Sequence, residues 1–111
     1  MKVALSTDFN PGTSPTDDLA LMGTLGMSRM GMTSEEVLAA VTVNAAHAIA
    51  RPDLGLLSPG CQADVVLWDS PSLEHLFWHY GSAHAATVIK KGEIVLERDV
   101  MPECAKLVRP A

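Results

Sequence analysis

A short apolar run at Val3, Ala4 and Leu5 ends abruptly at Asp8-Phe9-Asn10-Pro11-Gly12. Residues 2–7 have the character of a buried strand of a parallel sheet, and such a strand needs neighbours. Asn-Pro and Pro-Gly are turn dipeptides, because proline fixes φ and glycine reaches conformations closed to other residues. A helix is predicted next. Ser14 reads as its N-cap and Pro15 as its first residue, with Asp17 and Asp18 in the first turn, where the helix dipole favours acids. At 111 residues the chain forms one modest domain at most. A complete (β/α)₈ barrel takes about 250 residues, so a barrel unit read here is expected to be part of a larger whole.

The first helix is expected to run to about Met30 with Leu19, Met22, Leu25, Met27 and Met30 on its apolar face, and to stop at Gly31. Thr33-Ser34-Glu35-Glu36 is a capping box that opens a second helix, with Val37, Leu38 and Val41 directed inward. The small residues at 42–50 fit a continued or re-capped helix ending before Pro52. Beyond a shift in composition near residues 51–60 the period changes. Residues 63–69 read as a strand, 86–90 and 93–97 as a hairpin about Lys91-Gly92, and 99–111 as a loosely attached tail. Two or three such strands make a sheet with open edges.

Charge excludes several partners. Eight Lys and Arg against thirteen Asp and Glu give a net charge of −5, and only Lys90 and Lys91 are adjacent among the cations. Neither nucleic acid nor an anionic membrane surface is an expected partner. No run approaches the ~20 apolar residues of a membrane span, and the start is too short for a signal peptide, so a cytoplasmic location is expected. Cys61 and Cys104 stand far apart and read as reduced thiols.

Asp8 is the most informative acid, because catalytic groups collect at the carboxyl ends of strands in barrels and doubly wound sheets. A carboxylate there can bind a divalent metal and take a proton from water. The alternative is that Asp8 and Asn10 only hydrogen-bond their own turn. His75 and His79, four apart, would share a helix face and present two imidazoles to zinc. The aromatic segment around them also fits a loop packed on the core, and His84 has no clear place beside them. His47 reads as an ordinary helix residue, and Met22, Met27 and Met30 as core filling rather than a soft-metal surface. Gly55, Gly60 and Gly92 read as turn glycines.

Several segments together resemble the imidazolonepropionases of the metal-dependent amidohydrolase superfamily. Thr7-Asp8-Phe9-Asn10-Pro11-Gly12-Thr13-Ser14-Pro15 is similar to the loop after their last barrel strand. Thr33-Ser34-Glu35-Glu36 followed by Ala39-Ala40-Val41-Thr42-Val43-Asn44-Ala45-Ala46 looks like the helical segment that follows. Residues 55–64 carry a Gly-x4-Gly-x2-Ala-Asp signature, and His79-Tyr80-Gly81 with Val88-Ile89-Lys90-Lys91-Gly92 is similar to the closing strands.

The resemblance implies an α/β fold: residues 1–51 as the last strand, loop and helices of a (β/α)₈ barrel, and 52–98 as the carboxyl-terminal strands of a small β-sandwich domain, with 99–111 as a tail. It implies hydrolysis of 4-imidazolone-5-propanoate to N-formimidoyl-L-glutamate in histidine degradation, using one zinc or iron ion. Asp8 would be a metal ligand and the acceptor of a proton from the attacking water. Asn10, Gly12 and Thr13 would hold the propionate end of the substrate or the product, near a helix start that suits an anion. The rest of the barrel would be a necessary partner, and the intact enzyme could pair as a homodimer. The family's other metal ligands lie in segments this chain lacks, so the 111 residues alone are expected to be inactive. Two further readings are a non-catalytic module that binds a partner chain, and another amidohydrolase such as a deaminase or dihydroorotase.

Overall fold

The buried centre of the molecule lies where three helices meet, and glycines set how closely they meet. A computed structural model describes residues 1–81 and 85–98, so His84, Cys104 and the tail lie outside the described residues. The elements are α1 (Leu19–Met30), α2 (Ser34–Val41), α3 (Val43–Ala48), β1 (Val65–Trp68), α4 (Leu73–Trp78), β2 (Ala85–Lys90) and β3 (Glu93–Glu97). Val37 of α2 and Leu76 and Phe77 of α4 form the core, with Leu5, Met27, Met32 and Leu73 packed around them. The buried residues of α1 are Gly23 and Gly26. An ideal Cβ on Gly23 would clash with Phe77 Cδ1 and lie 2.8 Å from Phe77 Cε1 and 2.9 Å from Val37 Cγ1, so α1 approaches its neighbours only because this position has no side chain.

This changes the expected apolar face of α1. Met27 packs on the core, but Leu19, Leu25 and Met30 are exposed. On α2, Val37 is fully buried while Leu38 faces out. Large apolar residues on a helix predict a buried face, whereas here the contact is made at glycine and the flanking large residues stand beside it.

The start of α1 is also corrected. It begins at Leu19, with the Asp18 carboxylate accepting from the Leu21 N–H at 3.1 Å. Ser14 does not cap it, because the Ser14 hydroxyl donates to the Thr7 carbonyl at 2.6 Å and its own carbonyl accepts from the Asn10 N–H at 3.0 Å. The other end is as expected: Gly31 adopts φ 67° as a left-handed C-cap. The Thr33–Glu36 capping box is formed in both directions. The helix breaks at Thr42, whose φ of −121° and ψ of −93° separate α2 from α3 and whose hydroxyl donates back to the Leu38 carbonyl instead of capping α3.

Residues 2–7 form no strand, contrary to expectation. Among the described residues no strand pairs with them. The Leu5 N–H donates to the Ala40 carbonyl at 3.1 Å, and the Asn44 side chain donates to the Val3 carbonyl at 2.9 Å. Backbone groups that would enter a ladder are thus partly satisfied by the neighbouring helices.

The carboxyl half is a sheet of order β1-β2-β3, antiparallel throughout. The β2–β3 turn has positive φ at both Lys91 (52°) and Gly92 (83°), the backbone of a type I′ hairpin turn. Asp64 fastens this turn to the entrance of β1. Its carboxylate accepts from Lys90 Nζ at 2.5 Å, the Lys91 N–H at 2.9 Å and Gln62 Nε2 at 2.7 Å. The Lys90 ammonium, then the Lys91 N–H, hold the Asp64 carboxyl down to about 2.

A depressed folded pKa stabilises above the unfolded value, about 3.9, and that contribution is lost as pH falls through about 2. Asp64 is therefore expected to remain a carboxylate at pH ~4, where an ordinary aspartate is half protonated. The carboxyl carbon resonance of Asp64 in the folded protein checks this; half protonation at that pH would refute it.

Candidate functional site

Asp8, Asn10, Gly12 and Thr13 fall in one tight loop, and Asn10 is its centre. Asn10 Nδ2 donates to the Asp8 carbonyl at 2.8 Å. Asn10 Oδ1 accepts from the Gly12 N–H at 2.9 Å and the Thr13 N–H at 2.8 Å, and the Thr13 hydroxyl lies 3.2 Å from Nδ2. An isolated bridge joins Asn10 to Ser14, and the Ser14 hydroxyl pins the far side to Thr7. This is asparagine's capacity to mimic a backbone turn, used here to close a loop of five residues.

The loop presents Asp8. Its φ is 48°, in the left-handed region that Asp and Asn tolerate better than most residues. The residue is exposed, as are Phe9, Pro11, Gly12 and Thr13. The four residues singled out in the sequence are therefore brought together, with different tasks. Asp8 offers a carboxylate to its surroundings, whereas the amides of Gly12 and Thr13 are already engaged by Asn10. Nor does a helix start lie beside them: α1 begins at Leu19, and its N-terminus is taken by the Asp18 carboxylate. The expected helix-dipole support for an anion at Thr13 is absent for that reason.

Carboxylate oxygen is suitable donor chemistry for zinc or iron. Among the described residues no three His, Cys, Asp or Glu side chains come together. Asp8 can thus contribute one ligand, and a complete site requires donors beyond those described.

Ser14 is the loop residue that sequence reasoning assigned elsewhere, because Ser-Pro so strongly resembles a helix start. The segment around His75, which in sequence fits either a helix or a loop packed on the core, is helix α4. Ser72 caps it, accepting from the His75 N–H at 3.1 Å, and Glu74 sits in its first turn. A Ser cap followed by Leu73, Leu76 and Phe77 at helical spacing was the available signal. It places His75 and His79 on one face, with His75 Nε2 and His79 Nδ1 3.1 Å apart. His47 is exposed at the end of α3, and Cys61 is half-buried and free. No helix among the described residues is long and apolar enough to cross a membrane.

Replacing Asn10 with Ala removes the side-chain hydrogen bonds to Asp8, Gly12 and Thr13, each worth about 0.5–1.5 kcal/mol net. In an intact hydrolase that uses Asp8, kcat is expected to fall about 10²-fold through misplacement of that carboxylate. Asn10→Asp keeps the acceptor and loses the donor, so its effect should be smaller. Steady-state kinetics of both variants test this positioning role, and unchanged kcat in Asn10→Ala would exclude it.

The amidohydrolase family profile matches residues 1–95. The chain is 53% identical over 96 residues to an imidazolonepropionase of Geobacillus sp. (strain WCH70), covering 86% of this chain and 23% of that protein. It is 43% identical over 100 residues to an imidazolonepropionase of Bacillus velezensis, covering 89% and 24%. An amidohydrolase from Thermotoga maritima MSB8 superposes with a TM-score of 0.68 at 27% identity, covering 88% of this chain and 24% of that one. The chain therefore spans about a quarter of the length of the relatives it matches. With one profile running through both the Asp8 loop and the closing sheet, the chain belongs to the amidohydrolase family.

Proposed function

We propose that this chain forms part of an imidazolonepropionase whose intact form opens the ring of 4-imidazolone-5-propanoate to give N-formimidoyl-L-glutamate. Residues 1–51 contribute to the hydrolase barrel and 52–98 to a small β-sandwich domain. The observation that carries this reading is the higher identity to the imidazolonepropionases than to the Thermotoga amidohydrolase. The exposed apolar residues Leu25, Met30, Ile49, Leu57, Ile94 and Val95 support the partition, since further protein in the intact enzyme would cover large apolar side chains of this kind.

The reaction adds water across a ring amide: a hydroxyl joins the carbonyl carbon, the C–N bond breaks, and the nitrogen leaves with a proton. Zinc or iron, when bound, supplies Lewis acidity and a more acidic water. Asp8 would be one of the residues holding that ion, and its carboxylate would accept the proton and pass it to the departing nitrogen. Asn10 fixes where that carboxylate stands, and the Thr13 hydroxyl faces the substrate's propionate.

The test is incubation of the intact protein with 4-imidazolone-5-propanoate, dihydroorotate and an amino-substituted heterocycle, following N-formimidoyl-L-glutamate, ring-opened carbamoyl product and ammonia respectively. Turnover of the imidazolone alone is expected. Preferential turnover of either of the others moves the protein to the dihydroorotase or deaminase reading.

A further inference from the structure

His75 and His79 take no part in the proposed hydrolysis, yet α4 and its C-cap bring their rings into contact. His75 Nε2 and His79 Nδ1 are 3.1 Å apart, with ring centroids at 4.9 Å and planes at 78°. The tautomer of His75 follows from its other neighbour. Ser70 has one hydroxyl proton and donates it to the Ser72 carbonyl at 3.0 Å. In its 3.2 Å contact with His75 Nδ1, Ser70 Oγ is therefore the acceptor and the ring N–H the donor. His75 Nε2 is left with a lone pair directed at His79.

Such a pair has the bite of a chelate. Tetrahedral zinc, with Zn–N bonds of about 2.0–2.1 Å, sets two ligand nitrogens roughly 3.3 Å apart. Adjacent positions of tetragonal copper or nickel set them roughly 2.9 Å apart at similar bond lengths. The observed separation lies between these. Ser70 also does for His75 what outer partners do for metal-binding imidazoles, fixing the tautomer and ring orientation. His79 is exposed and His75 half-buried, so the hydrogen-bonded pair lies at the surface of the described residues.

We propose that His75 and His79 form a chelating pair for a late first-row divalent ion of the copper, nickel and zinc group. On binding, His79 carries its ring proton at Nε2 instead of Nδ1, and the lone pairs of His75 Nε2 and His79 Nδ1 meet on one ion. The affinity order follows copper above nickel and zinc, as for imidazole sites generally. Its structural effect is to clip the last turn of α4 to its cap, beside the 2.9 Å hydrogen bond from the His79 N–H to the His75 carbonyl. Among the described residues no third His, Cys, Asp or Glu joins them.

The experiment titrates the intact protein with copper(II) chloride, read by electron paramagnetic resonance and calorimetry. One equivalent with nitrogen splitting is expected in the parent and in His47→Gln, and its loss in His75→Gln and His79→Gln. Ser70→Ala should weaken it about 10-fold. Retention of that equivalent in His79→Gln overturns the proposal. Independently of any variant, substoichiometric copper should broaden the imidazole proton resonances of His75 and His79 before those of His47; broadening of His47 first also overturns it.

Discussion

Asp8→Asn in the intact enzyme is expected to lower kcat by about 10²–10⁴-fold, the usual worth of a positioned proton acceptor. Asparagine is the informative replacement because it separates chemistry from backbone. Position 8 has φ 48°, which asparagine accepts at least as well as aspartate, and the carbonyl that takes the Asn10 Nδ2 bond belongs to the main chain. The loop is therefore preserved while the carboxylate becomes a neutral amide that cannot accept a proton. Metal content by atomic emission should fall with the lost charge, and added zinc or iron should not restore kcat. Asp8→Ala gives a poorer answer, since alanine disfavours positive φ and would disturb the loop as well. Wild-type kcat in Asp8→Asn would remove Asp8 from the mechanism and leave the loop as a turn alone.

Local signals proved legible where the chemistry was local. The Thr33 capping box, the Gly31 stop and the Lys91-Gly92 hairpin each depend on residues within a few positions of one another, and each is formed. Misreadings arose where a distant group decided the outcome. Ser14 carries every mark of a helix cap, but its hydroxyl is drawn seven residues back to Thr7. The apolar residues at 2–7 have strand composition, but ladder formation depends on neighbours that no local pattern supplies. At the candidate site the residue types were evident, and the division of labour was not: that Asn10 consumes the Gly12 and Thr13 amides emerges only from the closed loop. For the segment carrying His75 the sequence supports both a helix and a packed loop, and the Ser72 cap, accepting from the His75 N–H, belongs to the helix.

The largest stability effect is expected at the three-helix junction, where Phe77 is 3% exposed and stands against Gly23. Phe77→Ala should cost about 3–5 kcal/mol through lost burial and the cavity left behind. Gly23→Ala acts in the opposite sense, adding a methyl where the ring and Val37 already stand within 2.9 Å. Alanine gains about 0.5–1 kcal/mol over glycine in a helix, whereas overpacking a core costs about 1–3 kcal/mol. The net sign depends on whether Phe77 can yield. Its neighbours Val37 and Leu76 are buried with it, and the Thr24 hydroxyl donates to the Phe77 carbonyl, tying the backbone of α4 to α1. The ring has little room to move, so Gly23→Ala should destabilise. Combined with Phe77→Ala, the same methyl enters the vacated space, and its helix preference becomes favourable. The double variant should therefore be more stable than the sum of the single losses, with a coupling of about 0.5–3 kcal/mol. Denaturant unfolding of the intact protein and its three variants measures this coupling, and strict additivity would show that Gly23 and Phe77 do not share one packing site.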